Sequence, residues 1–201
     1  MIHEISSAHL SIERIGQILH EGMKLKLSAD AIQRIVSCRD YLDQKIVRSE
    51  RPIYGVTTGF GSLCNVSVDA DQLAKLQINL MMSHACGTGE RVPREIVKIM
   101  LILKIQSLSY GYSGCKLDTV QRLVDFFNED ICPVVYMQGS LGASGDLVPL
   151  AHLSLPLVGL GEVDIQGEII SGREMLQRMG WEPIQLASKE GLALLNGTQN
   201  M

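Results

Sequence analysis

The sequence predicts a mainly α-helical protein with one small β-hairpin and ordered loops. Apolar residues recur at helical spacing over most of the 201 residues. A period-two pattern occurs in the stretch GEVDIQGEII, which predicts a hairpin at 160–170. Glycine-rich stretches at 53–66 and 136–146 follow neither period, and they are predicted to be irregular loops.

Capping residues and proline mark where the first three predicted helices begin and end. Ser11 and Ser28 are each followed by an apolar stripe and can cap two helices. Pro52 ends the second pattern because proline disfavours a helical conformation in its predecessor. A third helix is predicted from about Asp69 to near Gly87.

A central helix is predicted next, with Pro93 as its first helical residue. Its sequence VKIMLILKIQSLSY is apolar on nearly all sides, which indicates burial, and it ends at Gly111. Asp118 and Gln121 form a capping box for the following helix, and Pro133 closes that segment. After the hairpin, REMLQRMGW predicts a short helix.

Composition and spacing exclude several classes of protein. The net charge is −4 and there is no basic tract, which argues against a nucleic-acid partner. No apolar run is long enough to span a membrane, and the N-terminus is too polar for a signal peptide. The five cysteines form no CxxC pair, which predicts reduced thiols and a cytoplasmic location. The five histidines form no HxxxH or HExxH pair, so no metal site is expected.

The tripeptide Ala143-Ser144-Gly145, within GSLGASGDLVPLAH at 139–152, can carry a self-cyclisation. If the backbone bends tightly, the Gly145 nitrogen reaches the Ala143 carbonyl carbon and closes a five-membered ring. Loss of one water, and then of the Ser144 hydroxyl as a second, leaves a methylidene-imidazolone, a strong electrophile. Glycine offers an unshielded nitrogen and unusual dihedral angles. Asp146 could shuttle a proton, and a helix beginning there would aim its positive end at the ring.

Other interpretations of this stretch remain open at this point. An Ala-Ser-Gly tripeptide is common in proteins, and a glycine-rich helix start can instead bind phosphate. The chain contains neither GxxxxGK[ST] nor GxGxxG, so a nucleotide site has little support.

Four segments occur in the order found in the aromatic amino acid ammonia-lyases, the family of histidine and phenylalanine ammonia-lyases. They are YGVTTGFG at 54–61, NLMMSHACGTGE at 79–90, GSLGASGDLVPLAHL at 139–153 and KEGLALLNGTQ at 189–199. The sequence closely resembles this family. The resemblance implies a helical ammonia-lyase fold, a small amino acid substrate and a homotetramer whose active sites combine several subunits. It also implies a methylidene-imidazolone cofactor formed from residues 143–145, without a metal.

The resemblance assigns a role to each motif. Tyr54 is similar to the catalytic base that removes the weakly acidic β-proton of the substrate. Gly61 resembles a backbone contact beside substrate and cofactor. Asn196 resembles the residue that hydrogen-bonds near the ring and the amino acid end of the substrate. His84 occupies the position that faces the substrate side chain.

Without the motifs, each of these residues has a simpler interpretation. Tyr54 would be a packed loop aromatic, and Asn196 a helix cap or turn residue. His84 would be a satisfied core histidine on an apolar helix. His152 is predicted to be structural.

The motifs give mixed indications of the substrate. His84 with the preceding Ser83 resembles histidine ammonia-lyases, and so does NGTQ at 196–199. Thr57 departs from this pattern, because histidine ammonia-lyases usually have Asn there, and YGVTTGFG is closer to the phenylalanine and tyrosine enzymes. The prediction is elimination of ammonia from L-histidine to give urocanate. A tyrosine or phenylalanine ammonia-lyase is the alternative.

The length of the chain adds a further prediction. Family members are more than twice as long, so residues 1–201 are expected to be an N-terminal fragment without the central helical bundle and C-terminal part. The isolated chain is then expected to be inactive. A second hypothesis is a catalytically silent lyase-like fragment that self-associates through exposed apolar surface.

Overall fold

The computed structural model describes residues 1–49, 51–58 and 72–201. Within these ranges most of the regular structure is helical, as predicted. The helices are α1 Ile12–His20, α2 Ala29–Arg48, α3 Leu73–His84, α4 Arg94–Ser109, α5 Leu117–Asn128, α6 Leu147–Ser154, α7 Gly172–Met179 and α8 Glu190–Leu195. A 3₁₀ turn, Leu155–Val158, extends α6.

The strands form three small sheets in the described part of the chain. The strands are β1 Ile2–Ile5, β2 Lys24–Leu27, β3 Thr88–Arg91, β4 Ile131–Pro133, β5 Tyr136–Gln138, β6 Glu162–Ile165 and β7 Glu168–Ser171. β1 and β2 pair in parallel, β3 and β5 pair antiparallel, and β4, β6 and β7 form an antiparallel sheet in the order β4-β6-β7.

Helix α4 lies at the centre of the core, as its apolar sequence predicted. Met100, Leu101 and Ile105 are completely buried. Burial of such side chains stabilises the fold by about 1.5–3 kcal/mol each. Because its buried side chains hold α4 in the core, a polar side chain on α4 can fix the position of a group to which it hydrogen-bonds.

Several local predictions are confirmed. The Ser11 and Ser28 side chains cap α1 and α2, since each accepts a hydrogen bond from a backbone N–H three residues later. The predicted hairpin is β6–β7, the predicted short helix is α7, and α6 begins directly after Asp146.

The capping box predicted for α5 is wrong. The helix begins one residue before Asp118, and its N-cap residue, Lys116, makes no side-chain cap. The buried carboxylate of Glu190, in α8, takes this role instead. Its Oε1 accepts the Lys116 backbone N–H at 2.9 Å and the Thr119 hydroxyl at 2.6 Å. A carboxylate there satisfies free N–H groups and favours the positive end of the helix dipole. Gln121 donates along its own helix to Asp125.

Other boundaries also differ from the predictions. Pro93 is the N-cap residue of α4 and not its first helical residue. The predicted loop 136–146 begins with β5, which pairs with β3. Of the predicted loop 53–66, residues 54–57 form a turn, and residues 59–66 lie outside the described ranges. No helix in the described ranges is both long and apolar enough to cross a membrane.

Candidate active site

The loop between β5 and α6 bends tightly at Ala143-Ser144-Gly145. Gly142 and Ala143 both form isolated bridges with Gly145, so the chain folds back on itself at the tripeptide. Gly139 and Gly145 have φ angles of 135° and 111°, which side-chain-bearing residues rarely adopt. The chain therefore reverses direction at the tripeptide, with glycine in a conformation that favours it on both sides of Ala143-Ser144.

The loop is also closely packed against the segment that follows α8. A Cβ on Gly145 would lie 2.7 Å from the Gly197 carbonyl oxygen. The Asp146 backbone N–H donates to that same oxygen at 2.7 Å. The Asn196 side-chain amide donates to the Ser144 carbonyl oxygen at 3.1 Å. Two motifs whose contacting residues Ser144 and Asn196 are 52 positions apart in sequence therefore meet at the tripeptide.

The Asp146 carboxylate is buried and hydrogen-bonded. One oxygen accepts the Ser140 hydroxyl at 2.9 Å. The other accepts the backbone N–H groups of Asn200 and Met201 at 3.0 and 3.1 Å. The side chain makes no cap on α6. Asp146 therefore connects the loop that contains the tripeptide to residues 200–201, and its role in proton transfer stays a prediction.

Tyr54 lies in a turn that two threonines stabilise. The Thr57 hydroxyl accepts the Ile53 N–H at 2.9 Å, and the Thr58 hydroxyl accepts the Gly55 N–H at 3.2 Å. The Tyr54 side chain is 61% exposed. Gly61 lies outside the described residues, so its predicted contact is not described.

His84 ends α3 and is held by its own helix. Its Nδ1 lies 2.8 Å from the Leu80 carbonyl oxygen and 3.1 Å from the Ser83 hydroxyl. Because a carbonyl oxygen can only accept, Nδ1 carries a proton, and a neutral ring then presents Nε2 as an acceptor. This geometry gives His84 a defined orientation, while its contact with a substrate stays a prediction.

The family model for aromatic amino acid lyases matches residues 10–201. This chain belongs to that family. The histidine ammonia-lyase of Symbiobacterium thermophilum is 49% identical over 194 residues, which cover 96% of this chain and 38% of that enzyme. The Deinococcus radiodurans histidine ammonia-lyase is 50% identical over 192 residues, covering 96% and 36%. The structure of Trypanosoma cruzi histidine ammonia-lyase superposes with a TM-score of 0.89 at 34% identity, covering 100% of this chain and 38% of that one.

This family member spans less than two fifths of the length of these relatives. The structure brings together Ser144, Gly145, Asp146 and Asn196, which the sequence placed in one site. The roles of Tyr54 and His84 come from the resemblance alone.

Two further side chains contact residues of the four motifs. His152 makes the contacts expected of a structural residue: Nε2 accepts the Gly87 N–H at 3.0 Å, and the ring packs edge-on against Tyr136. Burial lowers the pKa of His152, which favours the neutral, accepting ring.

Sequence reasoning missed Lys104, a buried side chain whose Nζ donates to the Asn196 carbonyl oxygen at 2.9 Å. The signal was a lysine in the middle of the apolar sequence of α4.

Among the described residues, no group of three His, Cys, Asp or Glu side chains is arranged to hold a metal ion. The groups gathered at the tripeptide are amide, carbonyl, hydroxyl and carboxylate groups. Their contacts position a backbone loop.

Burial of three titratable groups predicts how the stability of this protein depends on pH. Burial lowers the pKa of Lys104 from 10.5 to about 8. It raises the pKa of the Cys115 and Cys132 thiols from 9.0 to about 12 and about 11. Between pH 8 and 9, only the unfolded lysine holds an extra proton, so the free energy of unfolding rises with pH. Between pH 9 and 10.5 the two native thiols keep protons that the unfolded chain loses, while the unfolded lysine still holds its extra proton. The net difference is one proton, so stability falls by about 1.4 kcal/mol per pH unit in this range.

Urea unfolding between pH 7.5 and 10.5 measures this profile. Replacing both cysteines with alanine should remove the fall above pH 9, while Lys104→Met should remove the rise between pH 8 and 9. An unchanged fall in the double variant would show that these thiols are not responsible.

Proposed function

We propose that the full-length protein is an ammonia-lyase that converts L-histidine to urocanate and ammonia. The observation that carries this proposal is the tight Ala143-Ser144-Gly145 bend, held by Asn196 and Gly197. The names and 49–50% identities of the histidine ammonia-lyase relatives support the choice of substrate.

The bend fits formation of a methylidene-imidazolone from the chain itself. A new bond joins the Gly145 nitrogen to the Ala143 carbonyl carbon. The carbonyl oxygen leaves as water with the hydrogens of the Gly145 and Ser144 amide nitrogens, and a double bond forms between the Ala143 carbon and the Ser144 nitrogen. The Ser144 hydroxyl and the hydrogen on its Cα leave as a second water. Gly145 suits this role because a Cβ there would lie within 2.7 Å of Gly197. Once formed, the group supplies an electrophile that activates the substrate for loss of ammonia.

The residues around the ring would bind the substrate and move its protons. Tyr54 is proposed to remove the β-proton as general base, from a turn where its side chain is 61% exposed. Asn196 donates to the Ser144 carbonyl oxygen. It is also proposed to bind near the amino acid end of the substrate. Gly61 would supply a backbone contact there.

His84 is proposed to select the substrate side chain. With Nδ1 donating to Leu80, a neutral ring offers an Nε2 acceptor to a polar substrate group such as an imidazole N–H. The sequence around Thr57 favours the alternative, a tyrosine or phenylalanine ammonia-lyase, and its hydroxyl holds the turn that carries Tyr54.

The proposal extends to assembly and location. Residues 1–201 are proposed to be the N-terminal part of a longer chain that forms a cytoplasmic homotetramer. Three apolar side chains near the site motifs support coverage by further protein surface: Met82, Met137 and Leu141 are 54%, 61% and 91% exposed. A tetrameric mass in light scattering would support the assembly, and a monomeric mass would contradict it.

The test of function is turnover of the full-length protein with L-histidine, L-tyrosine and L-phenylalanine. Release of ammonia and of the α,β-unsaturated acid are both measured. We expect kcat/KM for histidine to exceed the other two by at least about a hundredfold, because a polar site rejects side chains that leave its groups unpaired. A preference for tyrosine or phenylalanine would establish the alternative. Failure of all three substrates would favour a catalytically silent lyase-like protein.

A further inference from the structure

We propose that Lys104 is a positioning residue of the active site, which fixes the Asn196–Gly197 peptide and through it the cyclising tripeptide. The effect on catalysis rests on the proposed function. The positioning itself can be tested without it.

Lys104 occupies an environment that is unfavourable for a charged group. It lies in the middle of α4 and is 1% exposed. Removing an ammonium from water carries a large free-energy penalty unless the group is well paired. The described partner is a backbone carbonyl oxygen, that of Asn196, at 2.9 Å. An apolar side chain of similar size would stabilise the core at least as well, so packing does not explain a lysine at this position.

The carbonyl that Lys104 holds belongs to the residue that contacts the tripeptide. Asn196 donates from its side chain to the Ser144 carbonyl oxygen at 3.1 Å. The next carbonyl, that of Gly197, accepts the Asp146 N–H at 2.7 Å. It also lies where a Cβ on Gly145 would be only 2.7 Å away. A shift of the 196–197 peptide would therefore disturb the hydrogen bonds to Ser144 and to Asp146, which lie on either side of the Gly145 nitrogen.

Position along the chain explains why this peptide needs an anchor. Helix α8 ends at Leu195, and Asn196 has extended dihedral angles of −83° and 127°. The segment beyond it is not held by helical hydrogen bonds. Helix α4 is buried in the core, so the hydrogen bond from Lys104 restricts the movement of the Asn196–Gly197 peptide. Such positioning matters because small displacements of reacting groups reduce rates strongly.

The test compares Lys104→Met with Gln106→Met in the full-length protein. Gln106 is a matched control because it lies on the same helix and is 6% exposed. Its side chain donates to the carbonyl oxygens of Ser6 and Ala8, at the N-terminal segment. Methionine retains the bulk of both side chains and leaves no charge buried. Lys104→Leu is a second variant in case methionine does not pack.

Hydrogen exchange of the Asp146 amide is the first readout, because it reports the contact with Gly197 directly. We expect Lys104→Met to accelerate this exchange about tenfold, the effect of losing one supporting hydrogen bond, and Gln106→Met to leave it unchanged. Equal exchange rates in the wild type and Lys104→Met, or equal acceleration in both variants, would overturn the proposal, whether or not the protein is a lyase.

Catalysis provides the second readout. Lys104→Met should lower the fraction of chains that lack two waters, and should lower kcat about a hundredfold with little change in KM. Gln106→Met should keep both quantities within about twofold of wild type at the same loss of melting temperature. Normal cyclisation and kcat in Lys104→Met would overturn the catalytic part. A wild type without cyclisation or turnover, combined with accelerated exchange in Lys104→Met, would overturn the proposed function and support the positioning role.

Discussion

Ser144→Ala is expected to abolish ammonia elimination by the full-length protein, with a loss of at least about a thousandfold. Alanine has no hydroxyl to leave as the second water, so the methylidene carbon that would receive the substrate cannot form. The change removes one oxygen atom from an exposed loop residue, and the fold should persist. The carbonyl of residue 144 would still accept from Asn196. Turnover and intact mass together measure the effect.

Ser140→Ala is the matched control for this prediction. Ser140 lies in the same loop, but its hydroxyl donates to Asp146 at 2.9 Å and has no part in the leaving chemistry. This variant should still lose two waters and should keep measurable turnover. Normal turnover in Ser144→Ala would contradict the mechanism. Equal losses in both variants would indicate that loop geometry, and not the leaving hydroxyl, is responsible.

Tyr54→Phe is expected to leave the cyclised loop intact and to lower kcat by about 10²–10⁴-fold, the usual contribution of a general base. The hydroxyl that would take the β-proton is lost, while the aromatic ring remains on its turn. Peptide mass at 139–150 and steady-state turnover are both required, since the prediction is a normal mass with slow catalysis.

Tyr41→Phe controls for the loss of an exposed tyrosine hydroxyl. Tyr41 is 64% exposed on α2, close to the 61% of Tyr54, and lies in none of the site motifs. Its turnover should equal that of the wild type. Wild-type turnover in Tyr54→Phe would remove Tyr54 as the base, and loss of cyclisation in that variant would assign it a role in forming the loop.

The parts of the fold that could be predicted from sequence depend on local interactions. Ser11 and Ser28 cap helices through bonds to residues three positions away. The hairpin β6–β7 closes through a short turn at Gln166-Gly167, and its pairing is likewise local. The irregular loop around Ala143-Ser144-Gly145 was predicted because its glycines mark it in the sequence itself.

The parts that could not be predicted depend on partners distant in the chain. The parallel pair β1–β2 unites residues more than 20 positions apart, and each strand is four residues long, too short for a clear period. The N-terminus of α5 is capped by Glu190, more than 70 positions away in sequence. Local sequence offered only Asp118 and Gln121 as capping residues. Lys104 was visible as an anomaly in an apolar helix, but its partner Asn196 lies 92 residues away.

The intact mass of the full-length protein, with peptide mapping of residues 139–150, tests the central claim most directly. We predict a mass two waters below the value calculated from the sequence, with the whole deficit in the peptide that contains Ala143-Ser144-Gly145. An unmodified mass in that peptide would contradict the claim that this bend forms the electrophile, and with it the proposed lyase mechanism.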